Sequence, residues 1–571
     1  MIKNSQGVTE IIALLLFIIN HNSSEDVKVN VFSKIEKNDK RFINGETILH
    51  AWNWSLKAIK NNLEEIRKAG YTAIQISPVQ GTKDDSLENE KWWVLYQPIN
   101  FKIGNTQIGS REELIDLCTE AHKCGLKIIA DVIVNHTASK GGGELSIYPH
   151  DKVDSILKDN PDFWHEKRNV EDWNDRWQVT HLGIGLPDLN TANEKLQDII
   201  IDFLNDLIKC GIDGLRFDAA KHVELPCDPD GSNFWPRVIG SLINRDKLIL
   251  YGEVLQSGAS NYEGYSEYMA LSAEGYSYWV RASVGFDSEP NLENIKEYYI
   301  PSFVKPYNLI TWVESHDDYA SLHGKTASLE KWQIIMAWAI IAARKDPSPL
   351  FFNRPKGREK LSGKIGEPGN DFWKNPDIVA INKFRNEMNG QDENIVNEGK
   401  RLVMIERGNK GILLINIGEA IEINWDVKLK DGIYIDEISH KEFYVIDGKL
   451  SAEVAERSII ILYRKRELEI VDYEKEIKGK IKIYFCKPMT WNNPKAYIYY
   501  DDKILNPWPG INMISEGNGI YSCYYPEDFL NINIIFTDGI NQIPSIGEKG
   551  FYLSKREHKK YRDSIWVYYD K

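Results

Sequence analysis

From about residue 46 the sequence alternates between short apolar runs and segments with helical periodicity. Candidate strands lie at 48–52, 71–76, 126–134, 214–218, 248–252, 270–280, 309–313 and 349–352. Helical segments lie between them, for example one that runs from Ser55 to Gly70, one that opens at Ser110 and one over 193–209. Strands that alternate with helices build a parallel sheet, and eight such repeats close into a barrel. The sequence therefore predicts a (β/α)8 TIM barrel.

Three carboxylic acids stand where predicted strands end. Asp218 closes the run 214–218, Glu253 follows the strand at 248–252, and Asp317 follows the strand at 309–313. Acids that end parallel strands meet at one rim of a barrel, where barrel enzymes place their chemistry. Two carboxyls on either side of a glycosidic bond are the basic equipment of a glycosidase. A single acid at a strand end is more often a turn or helix-cap residue, but the set of three favours catalysis.

The length of 571 residues predicts several domains. Some 55 residues rich in Gly, Asp, Asn and Trp separate the strand ending near His136 from the next helix, and a loop of that length indicates an inserted domain. We predict a possible signal peptide (1–24), an N-terminal lead (25–45), a barrel (46–137 and 190–392) with an inserted domain B (138–189), an antiparallel β-sandwich domain C (393–465), a linker (466–480) and a C-terminal β-sandwich module (481–571).

Charge and apolar content limit the partners. The net charge of −14 argues against nucleic acid or an anionic membrane surface. The apolar run from Ile11 to Ile19 is too short to span a bilayer but suits the core of a signal peptide. The alternative is a hydrophobic helix that stays in the mature protein. We expect a secreted, extracellular protein that acts as a monomer.

Five motifs occur in a fixed order along the predicted barrel. They are Asp131-Val-Ile-Val-Asn135-His136, Leu186-Pro-Asp188-Leu-Asn190, Gly214-Leu-Arg216-Phe-Asp218-Ala-Ala-Lys221-His222, Glu253 and His316-Asp317. Together they resemble the signature regions of the alpha-amylase family, glycoside hydrolase family 13. The resemblance covers roughly residues 46–465 and is greatest to saccharifying alpha-amylases of the Bacillus type.

The resemblance implies a retaining double displacement. Asp218 would be the nucleophile, Glu253 the acid and base with a pKa raised by burial and negative neighbours, and Asp317 would hold sugar hydroxyls. From the strand spacing, Arg216 lies on the same strand face as Asp218 and can hold it ionised through a charge-assisted hydrogen bond. The implied substrate-binding residues are Trp92, Trp93, Tyr96, Gln97, His136, Arg216, Lys221, His222 and His316.

The resemblance also bears on bound ions. Asn135 and Asp188 carry the oxygen donors that suit Ca²⁺, and in the family a structural calcium ion ties the insert to the barrel. The matching backbone carbonyls here belong to Thr180 and His222; the alternative is an ordinary hydrogen-bonded loop. Some family members bind chloride through an Arg, an Asn and a second Arg. This chain has Arg216 and Arg354 but Ser315 in place of the Asn, so we expect no chloride activation.

The C-terminal module resembles the starch-binding domains of bacterial amylases. Tyr484 and Trp491 are the candidates for stacking on glucose rings, although either ring is equally suited to the core of a small sandwich. As a whole, the sequence predicts an endo-acting alpha-amylase that cleaves internal α-1,4 bonds of starch. The alternatives are an exo-acting maltooligosaccharide-forming enzyme, a glucanotransferase, or a non-catalytic glucan-binding protein, a class that lacks one or more of the carboxylates.

Overall fold

The computed structural model describes residues 40–320, 324–357, 363–465, 469–470, 480–501, 503–526, 529, 531–554, 560–561 and 565–567. The predicted signal peptide and most of the predicted lead and linker therefore lie outside the described residues. The chain divides into two units. The first unit extends to Trp279 and includes Glu297–Ser328 and Asp346–Lys374, and the second comprises Val280–Lys296, Leu329–Lys345 and Asn375–Lys571.

Eight parallel strands close into a barrel in the first unit, which confirms the predicted fold. They are β1 (Ile48–Ala51), β2 (Ala73–Ile76), β3 (Lys127–Ile133), β4 (Gly214–Asp218), β5 (Ile249–Gly252), β6 (Ala270–Ser272), β7 (Leu309–Trp312) and β8 (Ser348–Phe352). Each strand pairs with its neighbours in sequence, and β1 pairs with β8 to close the sheet. The strands are mostly apolar and almost wholly buried, as is typical of a parallel sheet that is covered on both faces.

The α-helices follow the strands at short intervals. They are α1 (Leu56–Lys60), α2 (Leu63–Lys68), α3 (Arg111–Lys123), α4 (Ser155–Lys158), α5 (Arg176–His181), α6 (Glu194–Lys209), α7 (Phe234–Gly240), α8 (Tyr262–Ser266), α9 (Glu274–Ser283), α10 (His316–Ala320), α11 (Lys331–Ala343) and α12 (Pro376–Glu387). Helix α3 opens with a capping box, in which the Ser110 hydroxyl accepts from the Glu113 N–H while the Glu113 carboxylate accepts from the Ser110 N–H.

Two sequence expectations about these elements need correction. The helix predicted from Ser55 to Gly70 is divided into α1 and α2, because the side chain of Asn62 donates to the carbonyl of Ala58 (2.8 Å) and competes with the backbone ladder. The strand predicted near 270–280 is only three residues long, and helix α9 begins at Glu274. The aromatic residues of that segment are typical of a strand, but here they belong to the helix.

The insert between β3 and α6 begins and ends at the same place on the barrel. The N–H of Leu189 donates to the carbonyl of Asn135 (2.9 Å), and His136 forms an antiparallel bridge with Asp188. A small apolar cluster that includes Val179 and Leu182 supports the insert. This closure brings the chain on both sides of the insert to the carboxyl end of β3.

The second unit contains antiparallel β-structure. One sheet has the order β9–β10–β11–β16 and another the order β12–β15–β14–β13. These strands are β9 (Glu393–Glu398), β10 (Leu402–Arg407), β11 (Gly411–Asn416), β12 (Ile421–Asp426), β13 (Gly432–Ile435), β14 (Glu442–Ile446), β15 (Lys449–Val454) and β16 (Ser458–Leu462). Inward-facing side chains of both sheets form one apolar core, as expected for the predicted domain C.

Further short strands form the C-terminal module. They are β17 (Glu469–Ile470), β18 (Lys480–Cys486), β19 (Lys495–Tyr500), β20 (Lys503–Ile504), β21 (Ile511–Asn512), β22 (Ile514–Gly517), β23 (Ile520–Pro526), β24 (Asn531–Thr537), β25 (Gln542–Ile543), β26 (Phe551–Ser554), β27 (Lys560–Tyr561) and β28 (Ile565–Val567). They pair into two sheets around a core that includes Ile483, Phe485 and Phe536. Within the described residues, no helix has both the length and the apolar character needed to cross a membrane.

Candidate active site

One guanidinium group joins three carboxylates at the carboxyl ends of the barrel strands. Arg216 Nη1 lies 2.7 Å from Asp131 Oδ1 and 2.6 Å from Asp218 Oδ1. Arg216 Nη2 lies 3.1 Å from Glu253 Oε1. The second oxygen of Glu253 accepts a hydrogen bond from the backbone N–H of Ala219 (2.9 Å). Ion pairs of this kind are stronger than neutral hydrogen bonds and fix the relative positions of the acids.

The barrel register explains why these side chains meet. Residue Asp131 of β3 is the direct partner of Arg216 in β4. Alternate residues of a strand share a face, so Arg216 and Asp218 point the same way. All three side chains are buried, and Asp131 is fully inaccessible. The sequence motif contained Asp131, but no role was predicted for it. Asp131 lies four residues before Asn135, and this spacing could have indicated that both side chains point to the same face of the strand.

Asp317, the third predicted catalytic acid, stands at the start of α10, just beyond β7. Its Oδ2 lies 3.5 Å from His316 Nε2, and its side chain is 47% exposed. Burial of the carboxyl and the nearby Glu253 raise the pKa of Asp317 to about 7. Because half of the side chain faces the cleft, water reduces the energetic consequence of that rise.

The pKa values of the two central acids differ from the sequence expectation. Burial raises the pKa of Asp218 well above its usual range, although Arg216 opposes the rise. Burial by itself would raise the pKa of Glu253. Arg216 and the N–H of Ala219 stabilise the charged form more strongly, so the pKa lies below its ordinary value. The predicted rise for Glu253 is therefore wrong in this structure. The sequence indicated buried acids but did not show that Arg216 reaches both of them.

Aromatic rings form the floor beside these acids. The ring of Tyr96 stacks on that of His316 with 5.0 Å between centroids and 14° between planes. The Tyr96 hydroxyl donates to Asp131 Oδ2 (3.0 Å), which ties the floor to the charged cluster. Trp92, from the 3₁₀ helix Trp92–Tyr96, meets both rings edge-on. A flat, amphipathic surface of this kind suits the C–H face of a sugar.

A cavity of about 300 Å³ opens over this floor. Its lining contains all of the predicted catalytic and substrate-binding residues except Arg216: Trp92, Trp93, Tyr96, Gln97, His136, Asp218, Lys221, His222, Glu253, His316 and Asp317. A second cavity of about 260 Å³ is lined by Arg216 and extends past Glu274 and Lys325. Four residues border both cavities, namely Glu253, Leu255, His316 and Asp317. The acids therefore lie where the two cavities join.

Two polar atoms of the lining point to a ligand. His136 Nε2 is hydrogen-bonded to the carbonyl of Tyr96 (3.0 Å), but its buried Nδ1 has no partner within the part of the chain that the structure describes. The buried Oε1 of Gln97 likewise has no hydrogen-bond partner among the described residues. Burial also lowers the pKa of His136 to about 4, so the ring is neutral near pH 7. Buried polar atoms are rarely left unsatisfied, and sugar hydroxyls are natural partners for both.

The structure places Trp173 against His222, one of the residues that line the cleft. Its ring meets the ring of His222 edge-on at 5.9 Å and is 47% exposed. Sequence reasoning missed this residue because the insert has several Trp residues and no periodicity to separate the exposed ones from the buried ones. His222 itself is neutral, since burial lowers its pKa to about 3.

The residues predicted to hold calcium lie where the insert meets the barrel. The side-chain amide of Asn135 donates to Asp188 Oδ1 (3.1 Å), and His222 Nδ1 lies 2.8 Å from the carbonyl of Val179, next to Thr180. Burial raises the pKa of Asp188 to about 6, although His165, 2.7 Å away at Nδ1, opposes the rise. Among the described residues no cluster of three or more His, Cys, Asp or Glu side chains forms a metal site. A cation here would depend on one carboxylate, one amide oxygen and backbone carbonyls, a donor set that fits Ca²⁺.

The arginine considered for chloride is engaged elsewhere. Arg354 makes a double ion pair with the buried Glu314, with Nε to Oε1 at 2.6 Å and Nη2 to Oε2 at 2.8 Å. Ser315 instead caps α10: its hydroxyl accepts from the N–H of Asp318 (3.1 Å). The absence of chloride activation stays a prediction.

The two residues predicted to bind glucan in the C-terminal module have different surroundings. Trp491 is 4% exposed and packs against Phe485 in the module core, with ring centroids 5.6 Å apart. Its assignment to glucan binding is therefore wrong. Tyr484 alternates with Ile483 and Phe485 along β18, so it faces away from the core, and Lys482 Nζ lies 5.0 Å from its ring. Tyr484 stays a candidate for glucan binding.

Comparisons with known proteins agree with this geometry. Residues 38–274 match the family described as the alpha-amylase catalytic domain, and residues 483–548 match starch-binding module 26. An alpha-amylase of Clostridium acetobutylicum is 37% identical over 511 residues, which is 86% of this chain and 65% of that protein. An alpha-amylase of Butyrivibrio fibrisolvens is 30% identical over 578 residues, 93% of this chain and 56% of that protein. The chain thus spans less than two thirds of the length of these curated relatives.

A solved structure supports the fold independently. Wild-type alpha-amylase I of Eisenia fetida superposes with a TM-score of 0.62 at 20% identity, over 74% of this chain and 97% of that one. The barrel and its cluster of acids define the catalytic domain of a glycoside hydrolase. More particularly, the chain contains an alpha-amylase catalytic domain, of glycoside hydrolase family 13, and a family-26 starch-binding module.

Proposed function

We propose that this protein is an endo-acting alpha-amylase that hydrolyses internal α-1,4-glucosidic bonds of starch with retention of configuration. The observation that carries the proposal is the pairing of Asp218 and Glu253 with neighbouring nitrogen atoms of the one Arg216 guanidinium. Two carboxyls held by the same group are close together. A short separation leaves no room for a water molecule between acid and sugar and favours a covalent intermediate.

In the first step an oxygen of Asp218 attacks the anomeric carbon as the bond to the leaving glucan breaks. Arg216 disperses the charge of the carboxylate and, together with Asp131, fixes its position. Glu253 gives its proton to the leaving oxygen. In the second step water attacks the same carbon, Glu253 takes up a proton from it, and Asp218 is released as a carboxylate.

The proton on Glu253 is governed by the whole cluster. Asp218 and Glu253 share Arg216, so their titrations are coupled, and loss of a proton from Asp218 favours a proton on Glu253. A sugar ring on the Tyr96 floor removes water from the cleft. That desolvation favours the neutral form of Glu253 at the moment when an acid is needed.

The remaining lining residues position the sugar. Asp317 faces the cleft and would accept hydrogen bonds from sugar hydroxyls when ionised. His136 and His316 are neutral, because burial lowers the pKa of both to about 4, so each ring offers one donor and one acceptor. Such contacts distort the ring toward the transition state only if they strengthen along the reaction.

The endo-acting mode is supported by the place of the acids within the cleft. Glu253 and Asp317 border both cavities, and the second, besides its part inside the barrel, reaches Glu274, Asp318 and Lys325, so space continues past the acids, as internal cleavage requires. The starch-binding module supports a polymeric substrate, since a tethered module raises the local concentration of the catalytic domain on an insoluble chain. We further propose secretion, action as a monomer, and a structural calcium ion held by Asn135, Asp188 and the carbonyls of Thr180 and His222.

A time course of soluble-starch digestion tests the function. Iodine staining and reducing ends are followed for the wild type, Asp218→Asn and the control Asp202→Asn, which changes an exposed acid on α6. Rapid loss of stain at few reducing ends, abolished only by Asp218→Asn, is the expected result. Reducing ends that rise while the stain persists would indicate exo-attack. Loss of stain with no new reducing ends would indicate a glucanotransferase. A wild-type protein that is folded but inactive would indicate a glucan-binding protein.

A further inference from the structure

Aromatic rings of helix α9 meet a half-buried ring, Tyr299, in the loop that precedes β7. Trp279 and Tyr278 are 36% and 56% exposed. The rings of Trp279 and Tyr299 stack with 5.0 Å between centroids and 22° between planes, and Tyr278 meets Trp279 edge-on at 5.4 Å. Large rings rarely gather at a protein surface unless the patch binds something. We refer to Trp279 and Tyr299 as the aromatic pair.

The aromatic pair is continuous with the cleft. Leu255 borders both cavities, and the next residue, Gln256, is exposed. The side-chain amide of Gln256 donates to the backbone carbonyl of Tyr299 (2.7 Å). The N–H of Gln256 donates to Glu274 Oε2 (3.1 Å), and Glu274 lines the second cavity. A path of polar and aromatic groups therefore runs from the acids to the aromatic pair.

A glycine keeps this path close to helix α9. A Cβ atom at Gly275 would lie 2.2 Å from Gln256 Oε1, so a side chain at this position would push the end of the glutamine away from the helix. Glu274 and Tyr278 are four residues apart and share one face of α9. The same face thus carries a cleft residue at one end and an exposed ring at the other.

The chemistry of the surface suits a glucan chain. Ring faces pack against the C–H faces of glucose, and an exposed amide supplies hydrogen bonds to hydroxyls. The rings of the pair hold each other in place, so little conformational freedom is lost on binding. The path begins two residues after Glu253, and Glu253 gives its proton to the leaving oxygen. We therefore place the part of the glucan that follows this path on the leaving-group side.

We propose that the aromatic pair binds the leaving-group side of a long α-glucan beyond the catalytic cleft. This inference rests on the proposed hydrolysis of α-glucans. It makes Trp279 and Tyr299 determinants of chain length: a long amylose reaches them, whereas a short maltooligosaccharide held at the acids does not. Neither residue touches the bond that is cleaved.

Kinetics with two substrate lengths test the proposal. Initial rates on amylose and on maltotetraose are compared for the wild type, Trp279→Ala, Trp279→Phe and the control Tyr148→Ala, another ring that is 41% exposed. Trp279→Ala is expected to lower kcat/KM for amylose about tenfold, the effect of losing one aromatic contact, through KM and not kcat. Maltotetraose should be cleaved as before, and Trp279→Phe should recover most of the loss. Equal losses on both substrates, or none on amylose, would overturn the proposal.

A binding measurement separates this proposal from the proposed function. Asp218→Asn and the double variant Asp218→Asn with Trp279→Ala are titrated with amylose and with maltotetraose, and tryptophan fluorescence is followed. A weaker affinity of the double variant for amylose alone supports the aromatic pair even if the wild type cleaves neither substrate. Identical affinities of the two variants for amylose overturn it whatever the catalytic result.

Discussion

The mouth of the barrel and the core of the C-terminal module both collect large side chains, but for opposite reasons. At the mouth, Arg216 is buried with three carboxylates, an arrangement that costs desolvation and adds little stability of its own. In the module, Trp491 is buried against Phe485, and that burial is itself stabilising. A buried cluster of charges therefore indicates a functional site, whereas the burial of an aromatic ring is explained by stability alone.

The comparison predicts its largest stability effect at Arg216. Replacing Arg216 with Leu leaves Asp131, Asp218 and Glu253 without their shared cation, and we expect a loss of about 3–5 kcal/mol in the free energy of unfolding at neutral pH. The loss should shrink as the pH falls, because the unpaired acids then take up protons. Denaturant unfolding at two pH values measures it.

Arg168→Leu is the matched control for that change. Arg168 is 46% exposed and lies 3.9 Å from Glu166, so its loss should change stability by less than about 0.5 kcal/mol. A comparable effect of both substitutions, or a loss at Arg216 that does not vary with pH, would contradict the account of the charged cluster.

The module offers the reverse test. Trp491→Ala should destabilise the module by about 3–5 kcal/mol, as for other large core rings, while hydrolysis of a short soluble substrate continues. Tyr484→Ala, on the outer face of β18, should leave stability almost unchanged but weaken adsorption to starch granules. Calorimetry and a granule pull-down on the full chain measure both. Weakened adsorption without destabilisation in Trp491→Ala would restore its role as a binding residue.

A smaller effect is expected at Asp317. Its pKa in the folded protein is raised to about 7, from an ordinary value near 4. The native protein therefore binds more protons than the unfolded chain across this window, and stability falls as the pH rises through it. Asp317→Asn removes this dependence and should gain about 1 kcal/mol above pH 7, a modest figure because the side chain is half exposed.

The pH dependence of unfolding for Asp317→Asn should be compared with that for Asp202→Asn, which changes an exposed acid. A stability difference from the wild type that is constant between pH 4 and 8 would show that Asp317 does not titrate in this way. The same variant should lose starch hydrolysis, since the amide of Asn carries no charge and offers sugar hydroxyls one acceptor oxygen in place of two.

The smallest expected effect is that of chloride. Arg354 is paired with Glu314, and the Ser315 hydroxyl caps α10. Exchanging sodium nitrate for sodium chloride at constant ionic strength should leave the rate unchanged. A several-fold rise would mean that Arg216 binds chloride despite its three carboxylates.

The sequence predicted those features that leave a periodic pattern along the chain, and not those that depend on contacts between distant side chains. The barrel and the position of its acids followed from apolar runs and from residues at strand ends, and the structure has Asp218, Glu253 and Asp317 at one cleft. The pKa of Glu253 was not predictable, because it depends on whether Arg216 reaches one acid or two. Trp491 was mistaken for the same reason that Trp173 was missed: a ring in an aperiodic segment gives no sign of which side faces water.

The most direct test of the central claim is to find the covalent intermediate. The protein is mixed with a fluorinated glucosyl donor that slows the second step, quenched in acid and digested, and its peptides are weighed by mass spectrometry. We predict a glucosyl adduct on the peptide that contains Asp218, absent in Asp218→Asn. Turnover of the donor with no adduct, or an adduct on Glu253 or Asp317, would contradict the assignment of Asp218 as the nucleophile held by Arg216.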